Sequence, residues 1–279
     1  MVAGARIDAH QHFWRLARND YPWMSPDGPL HRDYLPADYL PLMKAAGIGG
    51  AVLVQAAPTV AETEYMLGIA DTEPTILGVV GWFDLEDAGA GNLERLAAHP
   101  KLVGVRPMIQ DLADDEWIAR PAVLDGLKRV ASFGLTFDLL CYPRHLPYAT
   151  RTLDKVPDLK VVVDHLAKPD YANLSPDWQN GMKALAARSN TCCKIAGLVT
   201  EIGPEWRKAD FSRHFRTVFE LFGSSRLMIG SDWPVLTTVA SFADVIAHYQ
   251  TITAGFSPAE QSDLWAGTAA RFYGLPLPS

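Results

Sequence analysis

The sequence has few cysteines, no long apolar run and no cluster of basic residues. Its 279 residues include only Cys141, Cys192 and Cys193 as cysteines, and no C-x-x-C pair, which excludes a zinc ribbon. The odd count, with two thiols adjacent, predicts reduced, buried cysteines in a cytoplasmic protein. No apolar run approaches the roughly 18–20 residues that span a bilayer, and the opening "MVAGARIDAHQ" lacks the apolar segment of a signal peptide. We therefore expect no membrane attachment.

The charge balance and two missing motifs narrow the class of protein further. The formal net charge is −7 and no Lys/Arg-rich block offsets it locally, so we expect neither nucleic acid nor an anionic membrane as a partner. No glycine-rich phosphate loop follows the first apolar run, which disfavours a doubly wound nucleotide-binding sheet. No G-x-S-x-G elbow occurs, which counts against a serine esterase.

Short apolar runs alternate with longer amphipathic segments along the whole chain. The runs that predict buried parallel strands are "ARIDAHQHF", "GAVLVQAA", "TILGVVGWF", "LVGVRPMI", "LTFDLLCY", "LKVVVDHLA", "TCCKIAGL" and "RLMIGSDWPV". Eight such runs, separated by helical patterns, predict an α/β protein, a (β/α)₈ TIM barrel forming one domain over residues 1–279. The irregular stretch 14–36 predicts a long loop folded over a site, and "SPAEQSDLWAGTAARFYG" predicts an additional C-terminal helix.

Polar residues gather at the C-terminal ends of the predicted strands, where the chemistry of such barrels sits. Strand one ends in His10 and His12, and period-two alternation places both imidazoles on one face. The other strands end in Gln55, Arg106, Asp138, Tyr142, Asp164, His165, Lys168, Lys194 and Asp232. The predicted N-terminal ends are mostly small or apolar. This asymmetry predicts a functional site at one mouth of the barrel.

Each of these residues also has an interpretation without function. A pair of nearby histidines is often a surface feature, and His165 is open to a structural role in which Asp164 holds its ring. Arg106 is open to a salt bridge that closes the barrel, and Asp232 to capping the turn that follows it. Lys194 lies inside an apolar run, where burial without a partner is costly, so a role in the site is favoured.

Four motifs together resemble the amidohydrolase superfamily. They are "DAHQHFW" on strand one, "DHLAKP" on strand six, "CKIAGL" on strand seven and "GSDWPV" on strand eight. The likeness runs over essentially the whole chain and includes "DYPWM", "RDYLP", "GWFDL" and "LWAGTAARFYGL". Within the superfamily it is similar to the lactone hydrolases, a branch that includes L-fuconolactonases, L-rhamnonolactonases and 2-pyrone-4,6-dicarboxylate lactonases. The "HFW…YPW" opening looks most like the L-fuconolactonase type.

The resemblance also bears on metal binding. Members with two metals use H-x-H on strand one, a lysine or carboxylate on strand four, histidines on strands five and six, and an aspartate on strand eight. This sequence keeps His10, His12, His165 and Asp232, but it has Arg106 at strand four and no histidine on strand five. A cationic Arg106 would repel a second divalent ion. We expect either one zinc or manganese ion on His10, His12 and Asp232, or a reaction that needs no metal, as the resemblance implies for some lactonases.

The resemblance implies hydrolysis of the ring ester of a sugar lactone such as L-fuconolactone or L-rhamnonolactone. We expect Asp232 to activate water as the general base, with His10, His12 and Lys194 polarising the carbonyl. His165 would share that task or orient the water. The residues expected to hold the hydroxylated ring are Arg106, Gln55, Tyr142, Trp14, Tyr21 and Trp23.

Three alternatives stay open. The first is a metal-dependent decarboxylase or amide hydrolase on the same scaffold, because a fold does not fix its chemistry. The second is a lactonase for a carboxylated lactone such as 2-pyrone-4,6-dicarboxylate, which would need several arginines. The third is a barrel that binds a ligand without catalysis. The presence of His10, His12 and Asp232 together disfavours the third, since a pure binding protein needs no base beside imidazoles.

Overall fold

Eight parallel strands form a single sheet in chain order, as the sequence predicts. The computed structural model describes residues 4–87 and 91–278, so the ends of the predicted domain, residues 1–3 and 279, lie outside the described residues. The strands are β1 (Ile7–Gln11), β2 (Gly50–Val54), β3 (Ile76–Gly81), β4 (Leu102–Val105), β5 (Thr136–Leu139), β6 (Val161–Val163), β7 (Thr191–Ile195) and β8 (Leu227–Ile229). All eight predicted strands are confirmed, and each is shorter than its apolar run because the polar tails lie in the loops that follow.

Helices separate the strands and surround the barrel, in agreement with the predicted α/β pattern. They are α1 (Pro36–Ala45), α2 (Val60–Thr72), α3 (Asn92–Ala97), α4 (Pro121–Ser132), α5 (Leu146–Leu153), α6 (Pro176–Ala186), α7 (Leu198–Ile202), α8 (Ser212–Phe222), α9 (Phe242–Ile252), α10 (Pro258–Ser262) and α11 (Thr268–Tyr273). The predicted extra C-terminal helix is present as α10 and α11, joined by a π-helical turn over Asp263–Gly267. Its start at Ser257 is confirmed, because Ser257 and Glu260 form a capping box.

Backbone hydrogen bonds close the barrel between β1 and the segment that follows β8. The amide of Asp232 donates to the carbonyl of His10 over 2.8 Å, and the amide of His12 donates to the carbonyl of Trp233 over 2.7 Å. A Cβ at Gly230 would lie 2.5 Å from the Cβ of His10, so this close approach requires glycine. The closing bonds therefore bring the ends of the first and last strands side by side.

The lower half of the barrel interior is apolar. Its buried cluster includes Ile7, Ala9, Val52, Val54, Val80, Val162, Cys192 and Met228 from the strands, packed against Ala266, Ala269, Ala270, Phe272, Tyr273 and Leu275 of the C-terminal segment. The C-terminal segment also lies beside the beginnings of β3 and β4, since Gly78 lies within contact of both Leu275 and Val103. The additional helix thus closes the N-terminal end of the barrel and leaves the other end as its mouth.

The long loop after β1 lies over the mouth, as predicted. Aromatic side chains hold it there: Trp14 packs edge-to-face on Tyr34 and on Trp23, and Tyr34 packs on Trp233 after β8. The indole of Trp23 donates to the carbonyl of Ala56, which fixes the loop to the end of β2. Throughout the described ranges, no helix has both the length and the apolar character that crossing a membrane requires.

Candidate active site

The imidazoles of β1 meet the carboxylate that follows β8. Nε2 of His10 lies 3.2 Å from Nε2 of His12, and these nitrogens lie 3.7 Å and 3.3 Å from Oδ1 of Asp232. The ring of His165, which follows β6, is 4.7 Å from that of His10. All four residues are at most 5% exposed. The four side chains therefore meet as expected, with His12, His165 and Asp232 lining a cavity and the fully buried His10 behind them.

Unusual backbone conformations aim two of these groups. Asp232 has φ of 64°, and the residues from His165 to Lys168 have φ between 48° and 56°, a region that non-glycine residues enter rarely. Such strain at the end of a strand is typical of a functional site. Asp164 does not hold the His165 ring, and among the described residues Nδ1 of His165 has no hydrogen-bond partner. The structural interpretation of His165 loses its support, because no bond from Asp164 holds the ring and the residue lines the cavity.

A hydrogen bond fixes the orientation of His12. Its Nδ1 lies 2.8 Å from the carbonyl oxygen of Val54, and because a carbonyl can only accept, Nδ1 carries a hydrogen. Nε2 of a neutral His12 then presents a lone pair to the carboxylate of Asp232 at 3.3 Å. Two acceptors at this distance repel each other unless a proton on Nε2 or a cation lies between them. The pair is thus arranged to share a positive charge.

Electrostatics keep the base ionised and two imidazoles neutral. Burial disfavours ionisation of Asp232, but the nearby His165, together with a hydrogen bond from His12 and the proximity of His10, outweighs it and holds the pKa of Asp232 below its ordinary range. Burial lowers the pKa of His165, and burial together with Lys194 lowers that of His10 well below the ordinary value. At neutral pH Asp232 is therefore ionised, and its lowered pKa makes it a weak base that also releases a proton easily.

Lys194 lies beneath this cluster rather than in the cavity. It is fully buried, and its Nζ contacts Asp138, lies 3.1 Å from Asp164 and lies 3.3 Å from Nδ1 of His10. The hydroxyl of Tyr273 in α11 donates to the same Asp138. A substrate carbonyl in the cavity therefore does not touch the ammonium. In place of the expected direct polarisation, the geometry gives Lys194 a positioning role through His10.

Arg106 follows β4 and reaches the mouth with help from Gln55. The guanidinium lies 3.3 Å from Nε2 of His10 and 3.4 Å from Asp164, and it donates to the backbone carbonyl of Gln55. The Gln55 side chain is fully buried and donates to the carbonyl of Arg106 over 2.7 Å. Arg106 lines the cavity and Gln55 does not, so Gln55 orients the arginine instead of contacting a ligand.

The mouth encloses a small cavity of about 190 Å³, which is room for roughly six water molecules. Its walls are His12, Trp14, Trp23, Ala56, Arg106, Met108, Gln110, Asp111, Leu140, His165, Lys168, Thr200, Glu201, Asp232 and Val235. This space suits one small ring.

Of the aromatic residues expected to hold a ligand, two line the cavity and two do not. Trp14 and Trp23 are part of its walls. Tyr21 turns away and donates to the buried carboxylate of Glu62. Tyr142 lies outside these walls, with its ring centroid 5.5 Å from Nζ of Lys168. Tyr142 therefore stands behind a wall residue and does not form the wall.

The structure adds a residue that the sequence analysis did not identify. Glu201 lies on α7 and pairs with Lys168, Nζ to Oε1, over 2.6 Å, and both line the cavity. Helix α7 has only five residues, too few for apolar periodicity to reveal it. The one signal in the sequence was a carboxylate a few residues past a strand end.

The donor atoms fit a single metal ion. Nε2 of His10, Nε2 of His12 and Oδ1 of Asp232 lie 3.2–3.7 Å from one another. Tetrahedral ligands about 2.0–2.1 Å from zinc are separated by about 3.3–3.4 Å. His10, His165 and Asp232 also offer three ligand atoms within 4.8 Å of one another. The guanidinium of Arg106 lies 3.3 Å from Nε2 of His10, so its charge opposes any cation bound at that atom, and a second divalent ion most strongly.

A parallel barrel with imidazoles and an aspartate at its mouth defines the class of amidohydrolase-like TIM barrels. A comparison with known families agrees: the amidohydrolase family model matches residues 7–275. The chain belongs to this family, as the four sequence motifs indicated.

Three relatives are similar over nearly their whole length. An L-fucono-1,5-lactonase of Burkholderia ambifaria is 39% identical, with 98% of this chain and 97% of that protein aligned. An L-fucono-1,5-lactonase of Burkholderia multivorans is 38% identical over 100% of this chain and 99% of its own. A crystal structure of an amidohydrolase from Burkholderia multivorans with bound zinc superimposes with a TM-score of 0.90 at 36% identity, covering 98% of this chain and 100% of that one.

Proposed function

We propose that this protein hydrolyses the ring ester of a sugar lactone, with L-fucono-1,5-lactone as the leading candidate substrate. The observation that carries the proposal is the ionised Asp232, which lines a cavity for one ring together with His12 and His165 and has His10 packed behind it. The full-length similarity to two L-fucono-1,5-lactonases supports the choice of substrate. The rest of the cavity agrees with a sugar, because indoles and polar side chains share its walls.

In this proposal Asp232 takes a proton from a water molecule in the cavity. The water oxygen bonds to the lactone carbonyl carbon, and the carbonyl oxygen becomes an oxyanion. The guanidinium of Arg106, held by Gln55 and Asp164, is a fixed cation that lines the cavity, and it stabilises the oxyanion together with His12. Lys194 acts one step away by holding His10.

The intermediate then collapses, and the bond between the carbonyl carbon and the ring oxygen breaks. The ring oxygen needs a proton. Asp232 can return the one it took, because a carboxyl whose pKa is held low gives up its proton readily. The alternative is a relay in which His165, whose ring lines the cavity, takes the proton from Asp232 and passes it to the ring oxygen. The product is the open-chain hydroxy acid, which releases a proton at neutral pH.

A single divalent ion would be held by His10, His12 and Asp232. When bound it would act as a Lewis acid on the carbonyl or on water. A metal-dependent hydrolase is therefore the second candidate, favoured by the fit of these three donor atoms and by the zinc in the similar Burkholderia multivorans structure. Zinc and manganese both suit a ligand set of two imidazoles and one carboxylate.

The charges of the cavity favour a neutral lactone over a dicarboxylate. Arg106 and Lys168 are its cations, while Asp111, Glu201 and Asp232 are its acids. Lys168 is already paired with Glu201, and Arg106 lies 3.4 Å from Asp164, so both cations of the described wall already have an acidic partner. A substrate with two carboxylates would lack partners for them, and burying such charges unpaired is costly.

The experiment is a panel of lactones assayed by proton release. It contains L-fucono-1,5-lactone, L-rhamnonolactone, 2-pyrone-4,6-dicarboxylate and unsubstituted δ-valerolactone, each with protein as purified, after chelation, and after adding back zinc or manganese. We expect hydrolysis of the neutral sugar lactones to exceed that of the dicarboxylate. Loss on chelation with recovery on metal addition would select the metal-dependent candidate. Absence of hydrolysis of every lactone under every condition would refute the proposal.

A further inference from the structure

We propose that Lys168 and Glu201, named here the hydroxyl clamp, recognise two neighbouring ring hydroxyls of the substrate and thereby determine which lactone is accepted. This inference rests on the proposed lactone hydrolysis and adds to it a specificity device. Neither residue belongs to the expected catalytic set. Both lie in the cavity wall, on segments that follow β6 and β7.

The two head groups leave hydrogen-bonding capacity free inside the cavity. Nζ of Lys168 lies 2.6 Å from Oε1 of Glu201, and the side chains are 11% and 23% exposed. An ammonium offers three donors and a carboxylate about four acceptor positions. Within the described parts of the chain, neither head group has another hydrogen-bond partner. Because both face the cavity, a ligand is the natural partner for the remaining donors and acceptors.

A pair of neighbouring hydroxyls matches this arrangement chemically. One hydroxyl oxygen accepts from the ammonium, while the other hydroxyl donates to the carboxylate, so both charged groups are satisfied at once. A single carboxylate on the ligand would not do, since Glu201 would repel it. Trp23 stands across the barrel, tied to Ala56 after β2, and offers an apolar surface for the other face of the ring.

The clamp shares one cavity with His165 and Asp232, and its lysine is held on the same backbone segment as His165. Lys168 is only three residues beyond His165, and its amide donates to the His165 carbonyl over 2.8 Å. The backbone from His165 to Lys168 is left-handed, and the side chains of these two residues both line the cavity. A ring held by the clamp is thereby fixed relative to His165 and Asp232. Discrimination between lactones would follow from whether their hydroxyls reach the clamp when the carbonyl is at the base.

The test is a double-mutant cycle in which one change removes a clamp side chain and the other removes a hydroxyl from the substrate. Wild type, Lys168→Met and Glu201→Gln are each assayed on L-fucono-1,5-lactone and on analogues that each lack one ring hydroxyl. Hydrogen bonds to charged groups predict a roughly 10- to 100-fold loss in kcat/KM for each variant on the full substrate. If the clamp binds a given hydroxyl, a clamp variant should lose little further kcat/KM when that hydroxyl is removed from the substrate. The reason is that the variant has already lost this contact.

The matched control is Glu64→Gln, which breaks an ion pair with Arg95 at 2.7 Å outside the cavity. We expect this variant to keep the wild-type selectivity. Thermal melting of all variants separates a loss of folding from a loss of recognition, and either clamp variant alone suffices if the other does not fold.

Three outcomes overturn the hydroxyl clamp. The first is an equal loss on every lactone, which indicates a purely structural ion pair, and the second is no loss in either variant. The third is wild type that hydrolyses no lactone, which refutes the proposed function and the clamp with it. Where the wild type hydrolyses a lactone, either of the first two outcomes refutes the clamp alone.

Discussion

The two halves of the barrel interior are built from the same strands but from opposite chemistry. The lower half is apolar, from Ile7 and Val52 to Phe272 of the C-terminal helix. The upper half holds Lys194, Asp138, Asp164 and the imidazole cluster, all buried. Burial of apolar side chains stabilises the fold, whereas buried charges contribute little net stability against hydrophobic replacements. We infer that the apolar lower half stabilises the barrel, whereas the charged upper half serves the reaction at the mouth.

The largest effect should come from the carboxylate at the mouth. We expect Asp232→Asn to lower kcat/KM for lactone hydrolysis by roughly 10³-fold, because the variant has no group to accept the proton of water. Tm should fall as well, because the lowered pKa of Asp232 means that its ionised form stabilises the folded protein at neutral pH. Proton-release kinetics and thermal melting measure both. Asp125→Asn, which alters an exposed ion pair with Lys128, is the control. Near wild-type hydrolysis by Asp232→Asn would remove Asp232 from the mechanism.

Next is the charged layer between the two halves. Lys194→Met leaves the buried Asp138 and Asp164 without their shared ammonium, and breaking a buried pair in this way costs about 3–5 kcal/mol of stability. Activity should fall as well, since His10 loses its contact with the ammonium. Urea denaturation and lactone kinetics are the measurements. Lys128→Met, which removes an exposed partner of Asp125, should change neither. A variant as stable as wild type would mean that the layer does not depend on Lys194.

In the apolar half we expect a substitution to lower stability while leaving kcat/KM almost unchanged. Phe272 is 6% exposed in the lower cluster, so Phe272→Ala should cost about 3–4 kcal/mol by creating a cavity. At temperatures below its melting point we expect kcat/KM to stay within about twofold of wild type, because the reacting groups lie at the other end of the barrel. Phe133→Ala, which truncates a side chain that is 41% exposed, is the control for stability. A large drop in kcat/KM would show that the two halves are coupled.

The smallest effect concerns Glu62, which is fully buried beside the loop over the mouth. Its carboxylate accepts from the hydroxyl of Tyr21 and the amide of Ala56, and Arg18 lies 3.5 Å away. Burial raises the pKa of Glu62 to about 7 from an ordinary 4.5. Between these values the unfolded chain has released the proton while the folded protein keeps it, so stability falls as pH rises through this window.

We therefore expect the free energy of unfolding of Glu62→Gln, relative to wild type, to increase by up to about 3 kcal/mol as the pH rises from 4.5 to 8. The two proteins should be nearly equal at the acidic end, where the wild-type carboxyl is protonated. Urea unfolding at several pH values measures the difference. Glu64→Gln, at an exposed neighbouring position, should show no such trend. A difference that does not vary with pH would refute the raised pKa.

The position of a residue relative to the end of its strand explains which of the predicted site residues line the cavity. His165 and Asp232 come two and three residues after β6 and β8 end, and both line the cavity. Lys194 comes before the last residue of β7, and it lies a layer below the cavity. Alternation tells which face a side chain takes, but its depth along the barrel axis depends on the stagger between strands. Short local patterns do not reveal that stagger.

The sequence alone determined the eight strands, the amidohydrolase resemblance and the meeting of His10, His12, His165 and Asp232, because parallel strands in such a barrel end at the same mouth. The folded structure was needed to show that Lys194 and Gln55 contact other site residues and do not line the cavity. It was also needed to show that Tyr21 bonds to Glu62 and that Glu201 lines the cavity. These outcomes depend on contacts between segments far apart in the chain, such as Tyr21 with Glu62 and Lys168 with Glu201. Periodicity and composition describe neighbours along the chain, so such pairings become visible only when the barrel closes.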